Sequence, residues 1–388
     1  MIRKYNYSEY FSSIIGYTGP ISESEYTALH KKNKDYTQND TVGKAGLEQY
    51  YETYLRGKNG EQKFYIDNVG RISEIISSTD SVAGDDLYLS IDADLQKATY
   101  LALQNEIAAI VYSNIKSGEI PINDVYTALI GNSVINTEHF SKAKASDTEK
   151  NVLSVFKSRQ KTTLGKIKQE LTSSPEALNT MSDEVLDEFT YIISMLKDDQ
   201  VLLKNEIDTS DSVYQKWKNQ KISPKEYLSY CITQHWIDIS QLNVDEKYAD
   251  STEVYDALCK YILKNIKTDT EFSKIIYQYM ITRGEISPRQ LCLILFDQGV
   301  LDYDDATVNK LKNGSLSPRD FLMKKIYNIE ITPAQLALEP CTGSCVVTDE
   351  KTGEIRAMVS YPGYDSNKLA NGVDSEYFAS LQHDKSSP

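Results

Sequence analysis

The 388 residues hold only four histidines, two tryptophans, five cysteines and ten prolines, and no stretch approaches the roughly 18 consecutive apolar residues of a membrane-spanning helix. The start, MIRKYNYSEY, also lacks the apolar core of a signal peptide. Basic charge is in deficit: 42 Lys and Arg against 56 Asp and Glu leave a formal charge of -14 and an isoelectric point near 4.9. That balance argues against nucleic acid and against an anionic membrane surface as partners. His30, His139, His235 and His383 are scattered, so a zinc site has little support, and no metal or other cofactor is expected. An odd number of cysteines precludes a fully paired intramolecular framework. Cys231, Cys259 and Cys292 fall among apolar residues of helical pattern and read as small buried hydrophobes. Cys341 and Cys345, in the string CTGSC, could close a small disulfide loop or bind metal with distant partners, although short loops often fail disulfide geometry.

A chain of this length exceeds what one hydrophobic core usually organises, so two or three domains are expected. The last fifty residues carry the most information. Cys345-Val346-Val347 leads into the polar tip Asp349-Glu350-Lys351-Thr352-Gly353-Glu354, and a second apolar run follows from Ile355 to Val359, which predicts a hairpin. Lys351-Thr352-Gly353 at that tip is flanked by three acids, and Gly353 is most simply the residue that supplies positive φ to the turn. A second hairpin is predicted from Phe64–Ile66 and Arg71–Ile76 joined by Asp67-Asn68-Val69-Gly70. Leu87, Leu89 and Ile91 alternate as one buried strand face would. Ser22 with Glu25 forms a capping box, and Asp92 caps a long helix with Asp94 in its first turn.

Between these patterns, residues 113–330 are rich in helix-period apolar positions and poor in strand signals. Four pairs of apolar residues stand 15 positions apart, each with a proline just after the first: Ile120/Ile135, Ile222/Ile237, Ile286/Leu301 and Leu316/Ile331. Ser223-Pro224, Ser287-Pro288, Ser317-Pro318 and Thr332-Pro333 put a cap and an N1 proline at helix starts. Unequal separations rule out a regular solenoid. The acidic run Asp302–Asp305 lacks the glycine and terminal glutamate of an EF-hand and reads as a helix entry. The 28 tyrosines against nine phenylalanines are spread throughout, which suits amphipathic packing near domain surfaces.

Taken together, GSCVVTDEKTGEIRAMVSYPGYDSN at 343–367, RKYNYSEYFSSIIGYTG at 3–19, VGKAGLEQYYETYLRGKNG at 42–60 and LSIDADLQKATYLAL at 89–103 resemble the class B penicillin-binding proteins, the peptidoglycan D,D-transpeptidases. Asn6 departs from the proline usual in the first block. The resemblance covers roughly 1–112 and 331–388 and implies an α+β fold. Its parts are an N-terminal pedestal module at 1–85, the first strand and helix of a transpeptidase domain at 86–112, an inserted helical domain at 113–330, and the opening strands of the transpeptidase domain at 331–388. It further implies an ion pair between Arg3 and Glu48 that ties the modules together.

The family's catalytic boxes run Ser-x-x-Lys, Ser-x-Asn, Lys-Thr-Gly. Ser-x-Asn occurs nowhere in the 388 residues. Ser113/Lys116, Ser141/Lys144, Ser154/Lys157 and Ser158/Lys161 lie in the helical region, and the Lys-Thr-Gly sits at a turn. No residue is therefore assigned to catalysis, and the chain is expected to stop before the nucleophile. The resemblance implies an extracytoplasmic piece of a membrane-anchored parent that cross-links peptidoglycan stem peptides, with the anchor outside this sequence. A protein-interaction module whose helices dock a cell-division or elongation partner, and a degenerate pseudoenzyme, are the other readings.

Overall fold

The structure, a computed structural model, describes residues 3–69, 71–173, 176–242, 244 and 250–382. The chain folds as two units, Met1–Glu119 with Lys325–Pro388, and Ile120–Lys324. The architecture is α+β: helices predominate, and the described strands form two-stranded antiparallel sheets.

The first unit opens with α1 (Ser8–Ile15), β1 (Thr18–Pro20), α2 (Glu23–Lys32), β2 (Thr41–Gly43), α3 (Gly46–Tyr50) and α4 (Glu52–Leu55). Ser22 caps α2 through the reciprocal box with Glu25, as its spacing predicts. Antiparallel pairing of β1 with β2 sets Gly19 opposite Val42. Close packing here depends on glycine: a Cβ on Gly16 would stand 2.0 Å from the Ala45 carbonyl oxygen. The hairpin of β3 (Glu61–Ile66) and β4 (Ile72–Thr79) follows, somewhat longer than its apolar runs. Asp67 organises its turn by accepting from the backbone N–H groups of Val69 and Arg71, both at 2.9 Å; Gly70 lies outside the described residues. Every described residue of both strands is exposed.

Leu87, Leu89 and Ile91 do not form the expected buried strand. Leu87 is 39% and Leu89 42% exposed, and residues 83–91 lie outside any strand. Alternation marks a potential face, but a strand also needs a neighbour to complete its ladder. The cap residue Asp92 does behave as predicted, accepting at 3.0 Å from the N–H groups of Asp94 and Leu95 to start α5 (Ala93–Ser117).

The described part of the second unit is helical apart from a bridge between Leu202 and Ile237: α6 (Ile122–Gly131), α7 (Asp147–Thr172), α8 (Asp183–Asp198), α9 (Ser212–Lys218), α10 (Pro224–Thr233), α11 (Ser251–Ile266), α12 (Thr270–Thr282), α13 (Pro288–Asp297), α14 (Asp305–Asn313) and the first turns of α15 (Pro318–Tyr327), which runs on into the first unit. Long α7 packs against α10, α11, α12 and α13, and α12 packs against α6, α7 and α8. Phe156 stacks on Tyr277 with ring centroids 4.3 Å apart at the centre of this core. Cys231, Cys259 and Cys292 are buried in it, and burial pushes their thiols up to about 12, 11 and 12.

The 15-residue spacing has a structural cause. Two residues before each of the eight apolar positions stands a residue in the left-handed conformation: Gly118, Ser133, Gln220, His235, Gly284, Gly299, Gly314 and Ile329. The N–H groups of Ile135, Ile286, Leu301, Leu316 and Ile331 then bond the carbonyls of Leu129, Met280, Leu295, Lys310 and Lys325. After Gln220, His235, Gly284 and Ile329 the next N–H groups (Lys221, Trp236, Glu285 and Glu330) bond the carbonyls of Lys216, Cys231, Met280 and Lys325, the Schellman closure in which the chain reverses on a left-handed residue and a following apolar side chain folds back onto the helix end. Most of those apolar side chains are buried. After Ile222, Ile286, Leu316 and Ile331 come the Ser-Pro or Thr-Pro caps, and after Ile135 and Ile237 the caps Asn136 and Asp238, so a unit of helix, left-handed stop, apolar plug and new cap recurs. Asp304, in the acidic run, caps α14 in the same spirit, accepting from Ala306 and Thr307 at 3.2 Å each.

The chain then returns to the first unit through α16 (Pro333–Leu336), β5 (Gly343–Thr348), β6 (Ile355–Tyr361), α17 (Ser366–Leu369) and α18 (Ser375–Gln382). The β5–β6 hairpin lies on α5, where Tyr100, Ile107, Val359 and Tyr361 form a buried cluster joined by Tyr10, Leu103, Ala334 and Cys345.

Candidate functional site

The catalytic-looking motifs lie on exposed positions. Ser113 lies on α5, Ser141 ends a short 3-10 turn, and Ser154 and Ser158 lie on α7, all exposed. Lys351 sits at the β5–β6 tip. The Asp349 carboxylate accepts from the N–H groups of Lys351 at 2.8 Å and Thr352 at 3.0 Å, and Gly353 closes the turn at φ 76°. These donors hold Asp349 below the usual carboxylate range. Gly353→Ala is accordingly expected to destabilise the hairpin by about 1 kcal/mol or more, and Lys351→Ala by less than about 0.5 kcal/mol; urea denaturation of the two variants side by side distinguishes the roles.

Arg3 and Glu48 do meet. Arg3 Nε lies 3.3 Å from Glu48 Oε1, and its Nη2 donates to Oε2 at 3.3 Å, a two-pronged pair. Glu48 is only 7% exposed, and the Tyr5 hydroxyl donates to it at 3.4 Å. Burial raises the carboxyl of Glu48 above its ordinary value, against the opposing pull of Arg3 and Tyr5. Burial likewise raises the Tyr5 phenol.

Around this pair, side-chain amides stand in for missing strand partners. Asn371 accepts the Arg3 N–H at 3.1 Å and donates to the Arg3 carbonyl at 2.6 Å. Two residues on, Asn367 does the same for Tyr5, at 2.8 and 3.0 Å. Gln96, fully buried on α5, accepts the Met358 N–H at 2.8 Å and donates to the carbonyls of Met358 and Tyr10, each at 2.8 Å. In an antiparallel pair every second residue turns both its N–H and its C=O outward; the Gln96 amide satisfies those of Met358 and reaches α1 as well.

The same joint is closed by α1. Ser8 and Ser12 accept the N–H groups of Ser366 and Tyr364 at 2.6 and 3.1 Å, and the Tyr364 hydroxyl donates to the Ser12 carbonyl at 3.1 Å. The Tyr100 hydroxyl donates to Glu9 at 3.0 Å and accepts the Gly363 N–H at 3.2 Å. Burial, with the Glu9 carboxylate beside it, raises the Tyr100 phenol above its ordinary value. Gly363 allows the approach, because a Cβ there would lie 1.9 Å from the Glu9 carbonyl oxygen. Sequence reasoning named Arg3 and Glu48 but missed Gln96, Tyr100, Gly363, Asn367 and Asn371. The string YPGYDSN contains two of them, Gly363 and Asn367, and is turn-like, yet nothing local says which distant backbone it binds.

Cys341 and Cys345 are not joined by a disulfide: Cys345 lies in β5 and packs on the Tyr100 cluster, and Cys341 is buried just before the strand. Among the described residues no group of three or more His, Cys, Asp and Glu is gathered as a metal site, and no helix is long and apolar enough to cross a membrane.

The segment 3–12 is thus clamped against α5, the β5–β6 hairpin and the 363–371 segment. Residues 1–89 match the penicillin-binding protein dimerisation domain. The chain is 32% identical over 120 residues to the peptidoglycan D,D-transpeptidase MrdA of Salmonella typhimurium (strain SL1344), and 30% identical over 120 residues to MrdA of Escherichia coli (strain K12). It is 37% identical over 119 residues to penicillin-binding protein 3 of Bacillus subtilis (strain 168). Each match takes in 30% of this chain, and 19%, 19% and 17% of the respective relative. The homology to these transpeptidases spans about 120 residues of the chain, and residues 1–89 match the dimerisation domain.

Proposed function

We propose that these 388 residues are a non-catalytic, extracytoplasmic portion of a class B penicillin-binding protein that serves peptidoglycan cross-linking. The joint carries this reading. Residues 3–12, within the matched dimerisation domain, are held by Gln96, Tyr100 and the 363–371 segment, an arrangement suited to seating a pedestal on a transpeptidase domain. In the parent, a serine would be acylated by the penultimate D-Ala of a stem peptide and would pass the acyl group to a neighbouring amine; an N-terminal anchor would hold the assembly at the outer face of the bacterial membrane. Arg3–Glu48 is then an inter-module tie. The 120–324 unit, with its own core and outside the matched dimerisation domain, supports a second reading as an inserted domain that docks a cell-division or elongation protein.

Fluorescent penicillin tests the non-catalytic assignment. No label stable to denaturing electrophoresis is expected on this chain, since no Ser-x-Asn accompanies any of its Ser-x-x-Lys sequences. Saturable labelling that disappears on Ser113→Ala, Ser141→Ala, Ser154→Ala or Ser158→Ala would overturn it.

A further inference from the structure

Glu188 lies on the inner face of α8 and is 2% exposed. One helical turn earlier, buried Glu184 binds two guanidinium groups. Arg159 of α7 reaches its two oxygens at 2.7 and 2.9 Å, and Arg283, just past α12, reaches Oε2 at 2.6 Å. Arg159 is further drawn to Glu285 at 3.5 Å. Among the described residues no hydrogen bond or ion pair reaches the Glu188 carboxyl.

The other charged and titratable groups around α8 are also accounted for. Lys166 of α7 is exposed and makes no ion pair with it. Asp187 is held by the Tyr279 hydroxyl of α12 at 2.7 Å. Tyr191 bonds Asp269, the cap of α12. From α11, Tyr261 goes to Asp199, about three turns beyond Glu188. The 3-10 turn Leu178–Thr180 brings no titratable side chain. Glu188 thus faces the like charge of Glu184, against the weaker opposing pull of Lys166 and Arg159, neither of which pairs with it.

We propose that Glu188 is a proton-operated catch in the helical unit: α8 stays docked while the carboxyl holds its proton and loosens when it ionises. Desolvation, with Glu184 beside it, raises the carboxyl to about 8. In the unfolded chain a glutamate releases its proton near pH 4. Between those limits the folded state holds the extra proton, so the stability contribution is complete in acid and is lost progressively as pH rises to about 8.

Trp217 and Trp236 both belong to this unit, so tryptophan fluorescence of the full chain follows its urea unfolding. Measured at pH 5, 6, 7 and 8, the unfolding constant of the wild type relative to Glu188→Gln should grow by up to tenfold per pH unit. A ratio that stays constant across the range overturns the proposal. Should the variant fail to fold, carboxyl-13C glutamate labelling of the wild type reads the same group directly. One carboxyl titrating near 8 supports the catch, and complete titration of all glutamates below pH 6 sinks it.

Discussion

Replacing Gln96 by leucine is expected to lower the stability of the unit formed by 1–119 and 325–388 by about 4 kcal/mol, because three buried hydrogen bonds vanish and groups left unpaired cost about 1–3 kcal/mol each. Leucine fills a similar volume, so the loss isolates the polar contacts from packing. The unit contains no tryptophan. Far-ultraviolet circular dichroism of the Gln96→Leu chain should therefore show an early transition, while the tryptophan-detected transition stays in place. Superimposable wild-type and variant circular-dichroism curves would mean that the amide is dispensable and that the joint is held by its apolar cluster alone.

The second large effect is expected at Gly363. Alanine would set a methyl group 1.9 Å from the Glu9 carbonyl oxygen and 3.0 Å from Ser12 Oγ. Neither neighbour is the end of a flexible chain, since Glu9 and Ser12 both belong to α1. Separation of α1 from the 363–366 segment must follow, with the Ser8, Ser12 and Tyr100 bonds stretched together. A cost of about 3 kcal/mol is expected, at the upper end of overpacking effects. Hydrogen exchange should locate it: the amides of Tyr364 and Ser366 lose protection first, ahead of those in β5. Unchanged protection at both positions would contradict the close approach.

Glu48 illustrates how far family resemblance reaches beyond local chemistry. Taken by itself, Glu48 is an acid in the first turn of a short helix, which any exposed glutamate could be. Only the resemblance paired it with Arg3, 45 positions away. Gln96 had no such help. It sits in DLQKAT as an ordinary helix former, and its role depends on a strand 262 residues later.

What the sequence determined by itself is the set of contacts closed within a few residues. Ser22 with Glu25, Asp92 with Asp94 and Leu95, Asp349 with Lys351 and Thr352, and the Ser-Pro starts all satisfy helix or turn N–H groups from a side chain at most three positions away, so spacing alone specifies them. Half of the left-handed stops were legible in the same way, because Gly118, Gly284, Gly299 and Gly314 are glycines. Ser133, Gln220 and Ile329 adopt that conformation without being residues that prefer it, and His235 favours it far less than glycine does. There the buried apolar plug two positions on, and the helix packing that receives it, outweigh a backbone cost of about 1–2 kcal/mol. The failure of Leu87–Ile91 to become a strand, the burial of Glu188 and the amide clamps on Arg3, Tyr5 and Met358 are likewise decisions of the tertiary structure, since each depends on which distant backbone or charge arrives beside it.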